Sequence, residues 1–284
     1  MSPVPRRDAP PAEITQDDFQ RFCEFFYRRT GIQFGANKRY FVDKRVIDRI
    51  RLSGCFGFRD YFEFLKRDSG EYQTLVNAMT VNETYFYREV YQLECLVKSI
   101  LPELTKTRER SRALRIWSMP CSTGEEPYSI AFYLLEHFAR IDEFEVEIVA
   151  SDIDTVALDK ARDGLYNSRS LQYVPTATIN RFTTDAGGGE RRVIDALRDS
   201  IKFTNVNLLD AVDDGAYRTF DVVFCRNLLI YFDDVSRREA AAALFTTMSP
   251  GGFICLGHSE SMSRISSLFE CRKFPEGIVY QKPF

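Results

Sequence analysis

Histidine is nearly absent from this chain of 284 residues, which contains only His137 and His258. A reaction that depends on a histidine base therefore has few candidate residues. The seven cysteines include no CxxC pair, and no histidine stands near enough to them in the sequence to suggest a zinc site. We therefore expect reduced, mostly buried thiols, no metal and a cytoplasmic protein.

Long apolar runs and a strong excess of one charge are also missing. No apolar stretch reaches the length that spans a membrane, and the first residues lack the apolar core of a signal peptide. The net charge of -3 gives no general attraction for nucleic acid. We expect a monomer that neither inserts into a membrane nor binds nucleic acid. The length suggests two domains.

The first part of the chain is predicted to be helical. Residues 1–12 hold four prolines and little apolar bulk, which predicts a disordered tail. Residues 13–80 show helical spacing and no strand alternation, so we expect an N-terminal helical domain there. A linker helix is predicted over residues 81–112, with one long helix from 82 to 107. Three helices are predicted in the N-terminal domain, at Thr15–Gly31, Asn37–Leu52 and Phe58–Lys66.

From residue 113 to 284, short β-branched or aromatic runs alternate with helical stretches. This order is typical of βαβ units and a mostly parallel sheet, an α/β fold. The segment "DAGGGERR" (Asp185–Arg192) resembles a hairpin turn and indicates a small inserted subdomain at about residues 173–200. The predicted strands are Leu114–Ser118, Val146–Ser151, Phe220–Cys225, Phe253–Gly257 and Gly277–Gln281, and the predicted helices are Pro127–Arg140, Thr155–Asp163 and Val235–Met248.

The stretch "IWSMPCSTGEEPYSIA" (Ile116–Ala131) runs from a strand through a turn into a helix. Ligands of open α/β sheets bind at such strand ends. The stretch contains neither GxGxxG nor GK[ST], and the carboxylates of Glu125 and Glu126 would repel a phosphate. They favour a ligand with an ammonium group and hydroxyls. Alternatively, the two glutamates only stabilise the helix dipole.

A third carboxylate follows the second predicted strand, in "ASDID". Asp152 at this strand tip can accept hydrogen bonds from two ribose hydroxyls, as in many adenosine sites. NAD would suit Asp152, but its pyrophosphate would not suit Glu125 and Glu126. S-adenosylmethionine suits all three, because it has a ribose, no phosphate and a cationic methionine end. Asp154 competes with Asp152, but a role as helix cap explains it equally well.

Three further stretches carry weaker signals. In "NVNLL" (Asn205–Leu209), Asn207 can read an adenine edge and Leu208 can offer an apolar face, although a turn asparagine is the ordinary explanation. In "FCRNLLIYF" (Phe224–Phe232) a polar pair interrupts an apolar run. In "MTVNETYFYRE" (Met79–Glu89) helical spacing would place the side chains of three polar residues on one face, with a capped interdomain helix as the plain alternative. The three are Asn82, Thr84 and Arg88.

Taken together, these residues resemble the chemotaxis-receptor methyltransferase family (CheR), which methylates receptor glutamates with S-adenosylmethionine. The resemblance rests on "NETYFYR", "CSTGEEPYSIA", "ASDID", "NVNLL", "FCRNLLIYF" and "GHSES" in this order, and it covers nearly all of residues 13–284. It implies a Rossmann-like class I methyltransferase domain after the N-terminal helical domain, with an inserted antiparallel β-subdomain. It also implies the cytoplasmic helices of chemoreceptors as partners and S-adenosylhomocysteine as product.

The resemblance also assigns roles to single residues. Arg88 and Tyr231 would be catalytic, beside the transferred methyl group. The cofactor would be bound by Asn82, Thr84, Arg88, Glu126, Asp152, Asn207, Leu208, Cys225, Arg226 and Asn227. Many family members have small residues where this chain has Met119 and Pro120, so one backbone N–H contact to the cofactor would be lost, because proline has no N–H.

A basic stripe on the second predicted helix is the candidate receptor-binding surface. Lys38, Arg45 and Arg49 fall together on the helical wheel, and the receptor helices of the family are acidic. The alternative is an ordinary solvated face. His258, in "GHSES", follows a strand and is predicted to be structural.

Methyl transfer to a glutamate fits the scarcity of histidine, because this nucleophile is already ionised at neutral pH and needs no general base. Three other functions stay open at this stage. The chain could be a signalling scaffold that binds the cofactor without methyl transfer, an NAD-linked oxidoreductase, or a methyltransferase acting on another substrate such as nucleic acid. The missing GxGxxG disfavours the second, and the net charge of -3 disfavours nucleic acid as substrate.

Overall fold

The computed structural model of the protein describes residues 13–106, 112–211 and 215–284. The predicted tail over residues 1–12 lies outside them. No helix within these described ranges is both long and apolar enough to cross a membrane.

The chain divides into two compact units. One comprises residues up to 81 together with 231–236, and the other comprises residues 82–230 and 237–284. Each unit has buried apolar residues of its own.

The first unit is built from helices. Thr15 caps the first of them with a capping box, in which its side chain accepts the Asp18 N–H and the Asp18 carboxylate accepts the Thr15 N–H. Gly31 ends this helix in the left-handed conformation with φ 73°. All three helices predicted in this part of the chain are present, and α4 was not predicted. The elements are α1 (Gln16–Thr30), a 3-10 turn (Ala36–Lys38), α2 (Arg39–Ser53), α3 (Phe58–Arg67) and α4 (Ser69–Met79).

Two members of the basic stripe on α2 have partners inside this unit. Arg49 donates to both oxygens of the buried Glu71 carboxylate at 2.9 and 2.5 Å. Arg45 donates from Nε to the carbonyl of Ala78 at 2.6 Å. Lys38 is exposed. The stripe is therefore not a uniformly free cationic face, because the guanidinium groups of Arg45 and Arg49 hold α2 to α4.

The second unit contains a seven-stranded sheet in the order β6-β2-β1-β7-β8-β10-β9. The first five strands in this order run parallel, while β10 and β9 are antiparallel to their neighbours. Central residues pair in register, as in Ile116 with Ile148 and with Val222. The seven strands are β1 (Leu114–Ser118), β2 (Val146–Asp152), β6 (Ile201–Asn205), β7 (Phe220–Cys225), β8 (Met248–Leu256), β9 (Glu270–Lys273) and β10 (Ile278–Gln281).

The strand order reverses direction at β1. From β1 the chain proceeds to β2 and β6 on one side, whereas β7 and β8 lie on the other side. Such a switch point leaves a crevice at the carboxyl ends of the two central strands. The predicted strands of the sheet are all present, and the α/β fold of the sequence analysis is confirmed. The strands β6 and β9 were not predicted.

Helices connect these strands. Seven of those in the described ranges are α-helices, and a π-helical turn at Leu96–Ile100 joins the first two of these seven. The seven are α5 (Val90–Cys95), α6 (Leu101–Leu104), α7 (Glu125–His137), α8 (Thr155–Asp163), α9 (Thr176–Phe182), α10 (Asp195–Ser200) and α11 (Asp234–Thr247). Short 3-10 turns lie at Ile141–Glu143, Gly215–Tyr217 and Met262–Arg264.

A separate antiparallel sheet of three strands is inserted between β2 and β6. Its order is β3-β5-β4, with β3 at Leu165–Asn167, β4 at Thr183–Gly187 and β5 at Glu190–Val193. Gly187, Gly188 and Gly189 take φ values of 84°, 63° and 82° at the turn between β4 and β5, a conformation that glycine adopts without strain. The subdomain therefore exists, and its first strand begins before residue 173.

The predicted helix over residues 82–107 is wrong in its first part, because helix begins only at Val90. Phe86 is fully buried, where it stacks on Phe132 at 5.6 Å and meets Tyr166 edge-on at 4.8 Å. Tyr87 and Glu89 have positive φ values of 61° and 55°. Burial of the aromatic rings therefore accompanies an irregular conformation of "NETYFYRE", although the spacing of its polar residues is compatible with a helix. Asn82, Thr84 and Arg88 do not share a helical face.

Candidate functional site

The turn after β1 is held between its neighbours by backbone hydrogen bonds. The Met119 N–H donates to the carbonyl of Phe224 at the end of β7, over 2.8 Å. The Cys121 N–H donates to the carbonyl of Ser151 near the end of β2, also over 2.8 Å. The turn therefore stays at the switch point of the sheet.

Gly124 lets this turn enter helix α7. Its φ is 96°, and an added Cβ would lie 2.7 Å from the Tyr166 hydroxyl and 2.9 Å from the Ala161 Cβ. Both the backbone conformation and the close packing require glycine here.

The two glutamates at the start of α7 have different surroundings. Glu125 is buried and accepts from the Thr123 hydroxyl at 2.6 Å and from the Ser170 hydroxyl at 2.9 Å. Burial raises its pKa. Glu126 instead accepts from the Ser118 hydroxyl at 2.8 Å and from Arg226 at 2.9 Å. Glu126 thus contacts residues at the ends of β1 and β7, whereas Glu125 links α7 to the segment after β3.

Arg226 follows β7 and contacts two carboxylates. Besides Glu126, it lies 3.3 Å from Glu89, and it donates to the carbonyl of Arg88 at 2.7 Å. Only 5% of its side chain is exposed. Burial disfavours its charge, but Glu126 and Glu89 outweigh this and raise the pKa of Arg226. The guanidinium therefore stays charged and fixes Glu126 in place.

Asp152 ends β2 with a buried carboxylate. Its two oxygens accept the N–H groups of Ser122 at 2.7 Å and Asp154 at 2.9 Å. Burial raises the pKa of Asp152 to about 6, although these two N–H groups oppose the rise. The side chain is thus positioned by both turns that surround it, and its protonation changes close to neutral pH.

Asn82 bonds to the two residues, Ser122 and Asp154, whose N–H groups bond to Asp152. Its amide donates to Asp154 at 2.7 Å and accepts from the Ser122 hydroxyl at 2.8 Å. Asp154 also accepts the Ala157 N–H, so the role of Asp154 as cap of α8 is confirmed. The structure therefore brings Asn82 to the β2 end of the candidate site, and it does so through an irregular segment instead of the predicted helix.

The remaining predicted cofactor residues follow β6 or end β7. In the turn after β6, the Asn207 side chain accepts the Leu209 N–H at 3.3 Å, and Leu208 is buried. Cys225 is the last residue of β7 and is fully buried. Asn227 follows in the left-handed region with φ 58°. Every predicted cofactor residue after Arg88 thus lies at the carboxyl end of β2 or β7, in the turns after β6 and β7, or at the start of α7, which follows β1.

Arg88 and Tyr231, the two predicted catalytic residues, are placed as follows. Arg88 donates to the carbonyl of Glu83 at 2.6 Å, and its guanidinium lies 5.7 Å from the Tyr85 ring centre. Thr84 belongs to the same segment and is half-buried. Tyr231 lies in the stretch 231–236 of the first unit and is 40% exposed.

Two carboxylates that hold Arg226 and its turn were missed in the sequence. Glu89 contacts Arg226, and Glu260 accepts the N–H groups of Asn227, Leu229 and Gly257, each at 2.8 Å. Glu260 therefore fixes the turn that carries Arg226. It belongs to "GHSES", so the motif contained a usable signal, whereas nothing near Glu89 in the sequence indicates an arginine partner.

The donor set of the site fits an adenosyl cofactor without phosphates. Asp152 offers a carboxylate that can accept hydrogen bonds from hydroxyl groups. At the neighbouring strand end, Glu126 and Glu89 provide two carboxylates for the single guanidinium of Arg226. Within the described part of the chain, no group of three or more histidine, cysteine, aspartate or glutamate residues could hold a metal ion. The cysteines within the described ranges are all free, and four of the seven are buried, namely Cys95, Cys121, Cys225 and Cys255.

Comparison with known proteins agrees with this chemistry. Residues 17–80 match the model of the CheR methyltransferase all-alpha domain, and residues 82–278 match the model of the CheR methyltransferase SAM binding domain. The chain is 48% identical to chemotaxis protein methyltransferase 2 of Vibrio cholerae, over 95% of this chain and 94% of that protein. It is 40% identical to chemotaxis protein methyltransferase 2 of Pseudomonas aeruginosa, over 89% of this chain and 90% of that protein.

Proposed function

Since this chain belongs to the CheR methyltransferase family, we propose that it transfers a methyl group from S-adenosylmethionine to glutamate side chains of chemoreceptor cytoplasmic domains. The product would be a glutamate methyl ester, formed in the cytoplasm during chemotactic adaptation. The names of the relatives support chemotaxis and methyl transfer, and the residue class of the acceptor is our proposal.

The observation that carries the proposal is the pair of carboxylates at neighbouring strand ends. Asp152, at the end of β2, would accept the ribose hydroxyls, and Glu126, facing the end of β1, would attract the cationic methionine end. A dinucleotide or triphosphate would meet negative charge at this place. When bound, S-adenosylmethionine supplies a methyl group on a sulfonium, which is open to in-line attack.

The protein would contribute positioning rather than acid–base chemistry. A glutamate acceptor has a pKa of about 4.3 and is ionised at neutral pH, so no base has to activate it. Arg88 would orient the incoming carboxylate, and the hydroxyl of Tyr231 would donate a hydrogen bond to it. The roles of Thr84, Asn207, Leu208, Cys225 and Asn227 in cofactor binding remain part of the same proposal.

The receptor helices would be recognised in part by exposed cations of the first unit. Lys38 is exposed just before α2 and keeps its proposed role. The roles predicted for Arg45 and Arg49 are less direct, because their guanidinium groups already bind Ala78 and Glu71. They would act by holding α2 in shape.

Incubation with methyl-labelled S-adenosylmethionine and a receptor cytoplasmic fragment is expected to label the receptor. The label should be released by mild base, because a carboxyl methyl ester hydrolyses far more readily than an N-methyl group. A receptor fragment with glutamine at the acceptor positions is the control and should stay unlabelled. Binding of S-adenosylhomocysteine without any labelling would instead support the scaffold function.

The affinity for S-adenosylhomocysteine is expected to rise with pH between about 5 and 7. The pKa of Asp152 is raised to about 6, and ribose hydroxyls donate to the ionised form, so the bound state favours loss of the proton. Below that pKa the affinity should fall up to about tenfold per pH unit. Isothermal titration calorimetry across this range measures the slope.

The variant Asp152→Asn provides the comparison for this pH series. Its amide does not titrate, so its weaker binding should be nearly independent of pH. A wild-type affinity that stays constant from pH 5 to 7 would contradict the assignment of Asp152 to the ribose.

A further inference from the structure

Arg88, which would orient the acceptor carboxylate, is held at its backbone and at its guanidinium. Its carbonyl accepts from Nη2 of Arg226 at 2.7 Å, which fixes the backbone beside the turn after β7. Its Nη1 donates to the carbonyl of Glu83 at 2.6 Å. Among the described residues, Nε and Nη2 of Arg88 have no hydrogen-bond partner. This edge of the guanidinium can donate two parallel hydrogen bonds to a carboxylate.

An aromatic ring also restricts the guanidinium of Arg88. The guanidinium carbon lies 5.7 Å from the centre of the Tyr85 ring, within the range of about 6 Å over which a ring face attracts a cation. Both side chains are half-buried. An arginine side chain has many rotamers, and the single hydrogen bond from Nη1 does not fix the plane of the guanidinium. The contact with Tyr85 therefore limits the orientations of the edge formed by Nε and Nη2.

Tyr85 is supported in turn by a residue of the inserted subdomain. The ring centre of Tyr173 lies 5.2 Å from that of Tyr85, at an interplanar angle of 49°. Tyr173 belongs to the turn between β3 and α9, and 59% of this residue is exposed. The Tyr85 ring thus contacts the guanidinium of its own segment and an aromatic ring of the insertion.

The backbone fixes the turn that carries Tyr173 against the segment that carries Arg88. The Phe86 N–H donates to the carbonyl of Ser170 at 3.0 Å. Two apolar residues of the same turn, Leu171 and Val174, are buried. The turn therefore holds Tyr173 in place, although most of that side chain is exposed.

We propose that Tyr85 is a positioning residue for the reaction, because its ring holds the Arg88 guanidinium in the orientation that receives the acceptor carboxylate. Tyr173 would give the inserted subdomain a share in this role by supporting the Tyr85 ring. The inference rests on the proposed function and adds two residues to it. Tyr85 acts through Arg88 rather than on the reacting atoms, and a small misplacement of an orienting group is enough to slow a reaction.

The test is receptor methylation by wild type, Tyr85→Leu and Tyr85→Phe, together with calorimetric titration of S-adenosylhomocysteine. Leucine keeps apolar bulk but has no ring face, so kcat should fall about tenfold, the order of effect of a partly desolvated cation–π contact. Phenylalanine keeps the ring face and should restore kcat to within about threefold of wild type. The affinity for S-adenosylhomocysteine should change less than about threefold in both variants, because the ring acts on the acceptor side.

Three results would overturn the inference. A kcat of Tyr85→Leu equal to that of wild type would show that the ring has no part in the reaction. Equal losses of kcat in Tyr85→Leu and Tyr85→Phe would show that the ring face is not what matters. A loss of S-adenosylhomocysteine affinity as large as the loss of kcat would assign the ring to the fold or to the cofactor site.

Phe245→Leu is the matched control variant. Phe245 of α11 is half-buried, and its ring centre lies 4.3 Å from Nζ of Lys282 and 5.4 Å from the ring centre of Phe269. It therefore combines a cation and a second ring in the same way as Tyr85. This variant should keep the kcat of wild type, and a tenfold loss would show that any such contact affects kcat through the fold.

Tyr173→Leu keeps the inference testable even if Tyr85→Leu does not fold, because most of the Tyr173 side chain is exposed. Its kcat should fall about threefold, since it affects Arg88 only through the Tyr85 ring. An unchanged kcat would refute the share of the inserted subdomain. The thermal unfolding midpoint of each variant shows whether it is folded.

These assays also separate the two levels of the proposal. A wild type that does not methylate the receptor fragment would refute the proposed function itself. A wild type that methylates it, with the same kcat in all folded variants, would refute only the role of the two tyrosines.

Discussion

The variant Asp152→Ala is expected to bind S-adenosylhomocysteine at least 100-fold more weakly than wild type. A hydrogen bond to a charged group contributes about 1.5–3 kcal/mol, and two ribose hydroxyls would donate to this carboxylate. The loss of both corresponds to about 3 kcal/mol or more, where each 1.4 kcal/mol is a factor of about ten. Calorimetric titration at pH 7.5 measures the effect directly.

The position of Asp152 makes a structural control necessary. Its carboxylate also accepts the N–H groups of Ser122 and Asp154, so alanine leaves two donors of the turns without a partner. Asp152→Asn retains an acceptor for one of them and should show an intermediate loss of affinity. Asp159→Ala removes an exposed aspartate from α8, where it pairs with Arg162, and should bind like wild type.

The result that would contradict the role of Asp152 is a folded Asp152→Ala protein with an affinity within threefold of wild type. The thermal unfolding midpoint without ligand shows whether the variant is folded. If the midpoint is unchanged and the affinity is lost, the carboxylate acts on the ligand rather than on the fold.

Replacing Arg226 by methionine is expected to lower the free energy of unfolding by about 3–5 kcal/mol. The variant leaves Glu126 and Glu89 as two buried carboxylates without their cation, and an uncompensated buried charge has an effect of this size. Urea unfolding followed by circular dichroism measures the change. It is a large part of the total stability of a domain.

The loss of unfolding free energy in Arg226→Met should depend on pH and should be smaller at low pH. Without the guanidinium, burial and mutual repulsion raise the pKa values of both glutamates in the folded state. A carboxyl group with a raised pKa in the folded state binds a proton more readily there than in the unfolded chain, so lowering the pH stabilises the folded variant. The free energy of unfolding of the variant should therefore approach that of wild type as the pH falls from 8 to 5. A difference that is constant over this range would argue against a charge effect.

Arg162→Met is the matched control for this experiment. Arg162 pairs with Asp159 on the surface of α8, and its side chain is 46% exposed. Exposed ion pairs contribute about 0–1 kcal/mol, so the free energy of unfolding should change little. In a double variant, Glu89→Gln should recover part of the stability lost in Arg226→Met, because one of the two unpaired charges is removed.

Local sequence patterns predicted the regular elements well. The strands β1 and β7 and the helix α8 have the predicted bounds, because each is a short run with clear ends, such as Gly164 after α8. The strand β6 was missed, since "IKFTN" is short and half polar. The segment before α5 was predicted as helix from the spacing of its polar residues, and the structure has an irregular segment there in which Phe86 is buried.

The candidate site was predicted in the same uneven way. Asp152 could be found from the sequence, because a strand followed by an acidic residue indicates a strand end. The local pattern did not distinguish Glu125 from Glu126, since both begin the same helix, and only the family resemblance selected Glu126. The distinction depends on Ser170 and Arg226, which lie far from them in the sequence and contact them only in the folded chain.

By itself, the amino-acid sequence determined that this protein has a helical part, a mostly parallel sheet and carboxylates at the strand ends where a phosphate would be expected. These features depend on periodicity and on neighbours within a few residues. Only the tertiary structure decided that Arg226 lies between Glu126 and Glu89. The physical reason is the order of the strands, because the reversal at β1 brings together the ends of β1 and β7, which are distant in sequence.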